Sequence, residues 1–170
     1  TEHVAALQDG RNGLGLDRRR GVVAAFGGGP DQGEDLFDAI RWPDHSHNYA
    51  KYIADDLWKS AGIGPKDVDF AEIYDCFTYS ILMQLEGFGF CKEGEAAGFV
   101  KGGRIARDGA LPLNTHGGLL SEGYIHGLNH VIEAVQQLRG EAGHRQVKKN
   151  EICMTTAGAM TCGSAMILRR

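Results

Sequence analysis

Apolar residues in this chain recur at spacings that switch between strand-like and helix-like. Val22, Val23, Ala24, Ala25 and Phe26 form a short run stopped by Gly27-Gly28-Gly29-Pro30, which predicts a buried strand. Tyr49, Ile53 and Leu57 lie four apart, with Tyr52 and Trp58 beside them, and Gly62 and Pro65 close the pattern, so an amphipathic helix is predicted there. Val68, Phe70 and Ile73 predict a strand over residues 67–74, and Ile81, Leu82 and Leu85 a second helix over residues 78–87 that leads into a Gly-rich stretch through Gly103. Ile125, Leu128, Ile132, Val135 and Leu138 draw a long helical stripe ending at Gly140, which places Gly117 and Gly118 near a helix entrance. Residues 152–154 and 165–168 read as two strands around a turn containing Gly and Thr, an antiparallel hairpin. Residues 1–7 look helical and lead into a Gly-, Asp- and Arg-rich connection without an apolar face, and a loop or insertion fills the chain up to about His47.

The order strand, helix, strand, helix, loop, helix, strand, strand predicts an α/β fold in which helices cover a mixed sheet. Ligands are expected outside the strand ends, where loops enter helices. A length of 170 residues with 42% apolar content suits one compact core. The 25 glycines fall in short clusters that mark tight turns and close backbone approaches. With a net charge of −4 there is no basic footprint for nucleic acid, and Arg18-Arg19-Arg20 reads as solvated surface. Cys76, Cys91, Cys153 and Cys162 show neither a C-x-x-C pair nor a zinc-site spacing, so reduced thiols, no metal and a cytoplasmic location are expected. Neither a membrane-spanning run nor a basic-then-apolar leader is seen.

Two segments carry candidate chemistry. Glu72-Ile73-Tyr74-Asp75-Cys76-Phe77-Thr78 leaves a predicted strand and crowds a phenol, a carboxylate and a thiol into successive positions; a buried Tyr with a helix-capping Asp or Thr would look the same. Asn114-Thr115-His116-Gly117-Gly118 runs on to Ser121, Glu122, Gly123, Tyr124, His126 and Gly127. Its glycines allow close backbone approach to a ligand, and Asn114 could donate to a developing oxyanion. His126 and His130 stand four apart and could reach one metal, but the pattern places no acidic third ligand, and a packing or surface role is the better reading.

At these residues the chain resembles the thiolase superfamily. Asn114-x-x-Gly117-Gly118-x-x-Ser121-x-Gly123 is similar to the thiolase motif that precedes the active-site histidine, and Tyr124 stands at that histidine's position. Tyr74-Asp75-Cys76-Phe77 resembles the His-Asp-Cys-Phe motif of sterol-carrier-protein-type thiolases, again with tyrosine for histidine. Thr161-Cys162-Gly163-Ser164-Ala165 takes the place of the last catalytic loop. The resemblance covers residues 20–170 and implies a thiolase-like C-terminal half with a mixed sheet of the five-stranded type covered by helices. Residues 1–20 would then connect from an N-terminal half.

Thiolysis needs thiolate nucleophiles and imidazoles. A tyrosine pair in their place resembles the thiolase-like aldolases that shorten steroid side chains. That resemblance implies retro-aldol cleavage of a β-hydroxyacyl-CoA with Tyr74 and Tyr124 as the acid–base pair, their individual roles open. It gives supporting places to Asn114, His116, Asp75, Cys76 and His126, and a substrate loop to Gly117, Gly118, Gly123, Cys162 and Gly163. No cofactor beyond the coenzyme A thioester substrate is implied, and the implied partners are a thiolase-like second copy and a small zinc-ribbon/OB-fold protein. A cysteine-dependent lipid-transfer-type thiolase and a non-catalytic acyl-CoA-binding subunit are the alternatives. A domain of this kind made alone is expected to expose an apolar face that normally docks on its twin half.

Overall fold

The computed structural model describes residues 47–159 and 162–170, together with the backbone of residues 21–28. The predicted helical piece at residues 1–7, the connection through residue 20 and nearly all of the loop before His47 lie outside the described residues. In chain order the elements are β1 (Gly21–Gly28), α1 (Tyr49–Ala61), β2 (Phe70–Glu72), α2 (Thr78–Gly87), α3 (Ala96–Phe99), α4 (Leu128–Arg139), β3 (Ile152–Gly158) and β4 (Gly163–Arg169). The alternation read from the sequence is therefore present, with a one-turn α3 added inside the Gly-rich stretch.

The four strands form one sheet in the order β1-β4-β3-β2. β1 and β3 pair antiparallel with β4, while β2 runs parallel to β3. Leu113 bridges Ala71 in parallel on the outer side of β2, a single bridge beside the four strands of the described residues. This arrangement fixes where chemistry can sit. Because β2, β3 and the Leu113 segment all run the same way, their C-terminal ends open at one edge of the sheet. The residues after Glu72, after Leu113 and after Gly158 are delivered there together.

The strand expected over residues 67–74 is only three residues long. Asp69 ends it on one side by accepting from the backbone N–H groups of Glu151 and Ile152 at 2.9 and 3.0 Å. Beyond Glu72 the backbone bonds to side chains instead of a neighbouring strand. Period-two alternation still divides the faces. Ala71 and Ile73 join Tyr49, Leu57, Leu85, Met154 and Ile167 in the core under α1 and α2, whereas Phe70 packs with Ala134, Leu138, Cys153 and Leu168 under α4.

Helix α1 behaves as its pattern predicts. Asn48 caps it by accepting from Ala50 N–H at 3.0 Å, Gly62 ends it at φ 66°, and Ile53 and Leu57 are buried. Helix α4 does so only in part. Of its expected apolar stripe, Leu138 is buried and Val135 packs against the core, whereas Leu128 is 56% and Ile132 52% exposed, and Ile125, which precedes the helix, is 50% exposed. The buried face carries Asn129, His130, Glu133, Ala134, Gln137 and Leu138. Polar side chains win the inner face because each of Asn129, Glu133 and Gln137 satisfies loop backbone or buried side-chain groups. Exposed Leu120 and Tyr124 lie just upstream of this outer face. We expect the domain made alone to self-associate, and Leu128→Lys with Ile132→Lys to reduce its light scattering markedly. Equal scattering from both proteins would show that the outer face of α4 is not the adhesive one.

Candidate active site

Two loops converge at the open edge of the sheet and are stitched to each other. Asn114, at φ 46°, accepts from Ile73 N–H at 2.7 Å and donates to Ile73 C=O at 2.8 Å. Glu72 accepts from the Thr115 hydroxyl at 3.0 Å and from Thr115 N–H at 3.3 Å. Asp75 accepts from Leu119 N–H at 2.9 Å, and Gly118, at φ 73°, leaves the space in which the Asp75 carboxylate sits. Asn114 therefore clasps the first loop. This engages the amide for which the sequence suggested an oxyanion role, because a side chain one residue beyond the parallel bridge at Leu113 is well placed to pair with the neighbouring backbone.

Tyr74 is held from both sides. Its N–H donates to Thr156 Oγ1 at 2.8 Å, and its C=O accepts from Gln84 Nε2 at 2.8 Å. Gln84 in turn accepts from the Tyr49 and Thr156 hydroxyls, both at 2.7 Å. Burial pushes the Tyr49 phenol far above its ordinary range, which suits a structural hydroxyl. Tyr74 itself is 6% exposed and Tyr124 46% exposed. Their rings meet edge to face with centroids 6.1 Å apart, so two phenol rings fifty positions apart in sequence lie in contact. The ring of His126 lies 4.9 Å from that of Tyr124.

Beneath the tyrosines lie two carboxylate–imidazole pairs. His116 Nδ1 is 3.0 Å from Glu72 Oε2, and His130 Nε2 is 3.2 Å from Asp75 Oδ1. The two imidazole rings touch edge to face at 5.1 Å, and His130 lies 6.1 Å from the Tyr74 ring. Burial pulls the His116 pKa down, but neighbouring Glu72, Glu122 and Glu133 outweigh it and raise it above the usual imidazole value. Glu72 is fully buried, which raises its carboxyl against the opposing pull of His116 and Thr115. Both shifts keep a proton on this pair. Asp75 goes the other way: burial opposes its charge, yet the His130 ring and Leu119 N–H hold its carboxyl below the ordinary range.

A raised folded pKa means that the folded state binds the His116 proton more tightly than the unfolded chain. That stability is complete below the unfolded value of about 6.5 and is lost as pH rises through the folded pKa. We therefore expect the unfolding midpoint to fall from about pH 6.5 upward, and His116→Gln to flatten this slope. Identical slopes in the two proteins would remove His116 from the account.

The remaining sequence candidates fall as follows. Cys76 follows Asp75, half-buried and within electrostatic reach of Tyr49. Cys162 is exposed beside Gly163, which pairs with Gly158 across the mouth of the hairpin and packs its backbone against the Tyr49 ring. Gly117 sits at φ 104° against Ser121, and Gly123 is open to solvent. His126 precedes α4 at φ 45° and is exposed whereas His130 is buried, so the two do not form an i, i+4 metal pair. Among the described residues no group of three His, Cys, Asp or Glu side chains could hold a metal ion. Gln84 and Thr156 were missed as site residues, Glu72 was read only as part of the first segment, and His130 was weighed only as a metal ligand and read as packing or surface. A buried Glu on a three-residue strand, and a His four positions after another, were the available signals.

A sheet flanked by α1 and α4, with a Tyr-Asp-Cys-Phe loop and an Asn-x-x-Gly-Gly loop sharing its C-terminal edge, defines a thiolase C-terminal domain. The chain belongs to that family, described as thiolase C-terminal domain-like, which matches residues 35–170. It is 47% identical over 66% of its length to the 17-hydroxy-3-oxo-4-pregnene-20-carboxyl-CoA lyase of Mycobacterium tuberculosis. It is 40% identical over 68% of its length to the steroid side-chain-cleaving aldolase of Thermomonospora curvata. The chain spans 29% of the length of each of these relatives. Its structure superposes on the Ltp2-ChsH2(DUF35) aldolase with a TM-score of 0.76 at 32% identity, covering 87% of this chain and 39% of that one.

Proposed function

We propose that this domain supplies the acid–base half of an aldolase that cleaves the carbon–carbon bond of a steroid-type β-hydroxyacyl-CoA, giving a ketone and a short, propionyl-CoA-like acyl-CoA. The observation that carries this reading is the contact between the rings of Tyr74 and Tyr124, at the two positions where thiolase chemistry would need histidines. In the reaction one phenolate takes the proton of the substrate's β-hydroxyl. The carbon–carbon bond breaks, its electrons passing to the enolate of the acyl-CoA while the alcohol becomes a ketone, and a phenol protonates the enolate carbon. No covalent acyl-enzyme forms, which fits a Cys76 flanked in sequence by Asp75 and Phe77, neither of them an imidazole.

The exposed apolar face of α4 is the surface on which we place the N-terminal half of the thiolase fold. A second copy and a small zinc-ribbon/OB-fold protein complete the assembly in this reading, in keeping with the two-component aldolase to which the structure is similar. Among the described residues no helix is long and apolar enough to cross a membrane.

The test is mass analysis of products from the complete, co-expressed complex given a branched β-hydroxyacyl-CoA. Ketone and the shortened acyl-CoA in equal amounts are expected. Consumption of free coenzyme A, with a thioester trapped on Cys76 or Cys162, would instead assign a cysteine-dependent thiolase.

A further inference from the structure

A tyrosine that moves a proton works only while its hydroxyl is held to within about 0.5 Å of its place at the reacting atom. Its direction starts from the backbone, because the peptide units before and after its Cα decide where the side chain leaves the chain. The two site tyrosines differ in what holds those units.

At Tyr74 four side chains share the task. The preceding peptide is held by Asn114 Nδ2 donating to Ile73 C=O at 2.8 Å and by Thr156 Oγ1 accepting from Tyr74 N–H at 2.8 Å. The following one is held at Tyr74 C=O by Gln84 Nε2 at 2.8 Å and by the Ser80 hydroxyl at 3.2 Å. Tyr124 has no such redundancy. It is 46% exposed and lies in a stretch, residues 123–125, that belongs to no helix or strand. One side chain reaches both of its peptides: Asn129 Nδ2 donates to Gly123 C=O at 2.7 Å, and Asn129 Oδ1 accepts from Ile125 N–H at 2.9 Å. Among the described residues no other side chain bonds to either peptide.

The clasp is built where it can hold. Asn129 lies in the first turn of α4 and is 7% exposed, so water competes little for its amide. Its remaining donor is used on Glu122 Oε1 at 2.8 Å. The same helix start is pressed against the other tyrosine: a Cβ added at Gly127, φ 90°, would lie 2.9 Å from Ala157 Cβ and 3.5 Å from the Tyr74 ring. Helix α4 therefore begins against both the end of β3 and Tyr74, and it carries the group that grips the Tyr124 backbone. A carboxamide suits this task because it offers an acceptor and a donor from one short side chain; an ionised Asp lacks the donor and Leu lacks both.

We propose that Asn129 is the positioning residue for Tyr124: it fixes the two peptides that flank this tyrosine, holds its ring against Tyr74, and acts on the reaction through Tyr124 alone. The proposal rests on the retro-aldol reading, in which both phenols are needed.

The test is a double-mutant cycle on the complete enzyme with a branched β-hydroxyacyl-CoA, reading kcat and KM for the parent, Asn129→Ala, Tyr124→Phe and the two together. Asn129→Ala is expected to lower kcat about tenfold or more with KM within about twofold, because a misplaced acid or base slows bond cleavage more than binding. In the Tyr124→Phe background the same substitution should lower kcat by less than about twofold, since no hydroxyl is left to place. An asparagine needed only for folding would give the same loss in both backgrounds, through fewer folded molecules. Asn129→Ser, whose single hydroxyl cannot span both peptides, is expected to show the same pattern at smaller amplitude, and it decides the matter if Asn129→Ala does not fold. Equal losses in both backgrounds, a loss confined to KM, or unchanged kcat would overturn the clasp. The underlying reading fails separately, through normal turnover in Tyr124→Phe; a slow Tyr124→Phe to which the Asn129 substitution adds its full loss sinks the clasp alone.

Discussion

Tyr74→Phe in the complete enzyme is expected to lower kcat by about 10²- to 10⁴-fold with KM nearly unchanged, the range lost when a positioned acid or base is removed. The substitution keeps the ring, so the edge-to-face contact with Tyr124 at 6.1 Å and the neighbouring His130 ring stay in place. The backbone bonds to Thr156 and Gln84 do not involve the phenol at all. A fold defect would therefore not account for the loss, and the unfolding midpoint should match that of the parent protein. Tyr124→Phe is expected to give a loss of similar order, and the double variant little more than either alone, because two groups that serve one proton cycle are not additive. Wild-type turnover in both single variants would end the tyrosine mechanism.

Gly118→Ala is expected to be strongly disruptive, destabilising the domain by about 3 kcal/mol or more. At φ 73° an L side chain is strained, and a Cβ there would run into the buried Asp75 carboxylate. Asp75 cannot simply move aside, since it accepts from Leu119 N–H and faces His130. The change therefore loosens the junction between the two tyrosine-bearing loops, and activity should fall with stability. Urea denaturation of the complete enzyme measures the effect. A midpoint within error of the parent would show that Asp75 is free to shift and that the loops are held mainly by Asn114. Gly123→Ala serves as the control, because no atom lies within 4 Å of a Cβ placed there.

Much of the molecule was legible from local pattern. The spacing of Tyr49, Ile53 and Leu57 and the stop at Gly62 define α1 because capping and amphipathicity are properties of neighbouring residues. Helix α2 spans the predicted residues 78–87. The hairpin of β3 and β4 and the family motifs followed from short strings as well. The stripe through Leu128 and Ile132 was read correctly as helical, yet the sequence could not say which side would be inside. That depends on what covers the helix, and here the polar side wins because its Asn, Glu and Gln groups find partners in the loops.

The sequence by itself determined the order of elements, the two tyrosine-bearing loops and the family to which they belong. Only the tertiary structure decided that β2, β3 and the Leu113 segment run parallel, which brings Tyr74 and Tyr124 to the same edge. It alone placed Glu72, His116, His130 and Asp75 beneath them. The physical reason is range. Helix caps and strand alternation are written within a few residues, whereas a buried ion pair is created by strands and loops that meet across the sheet, and no window along the chain contains both partners.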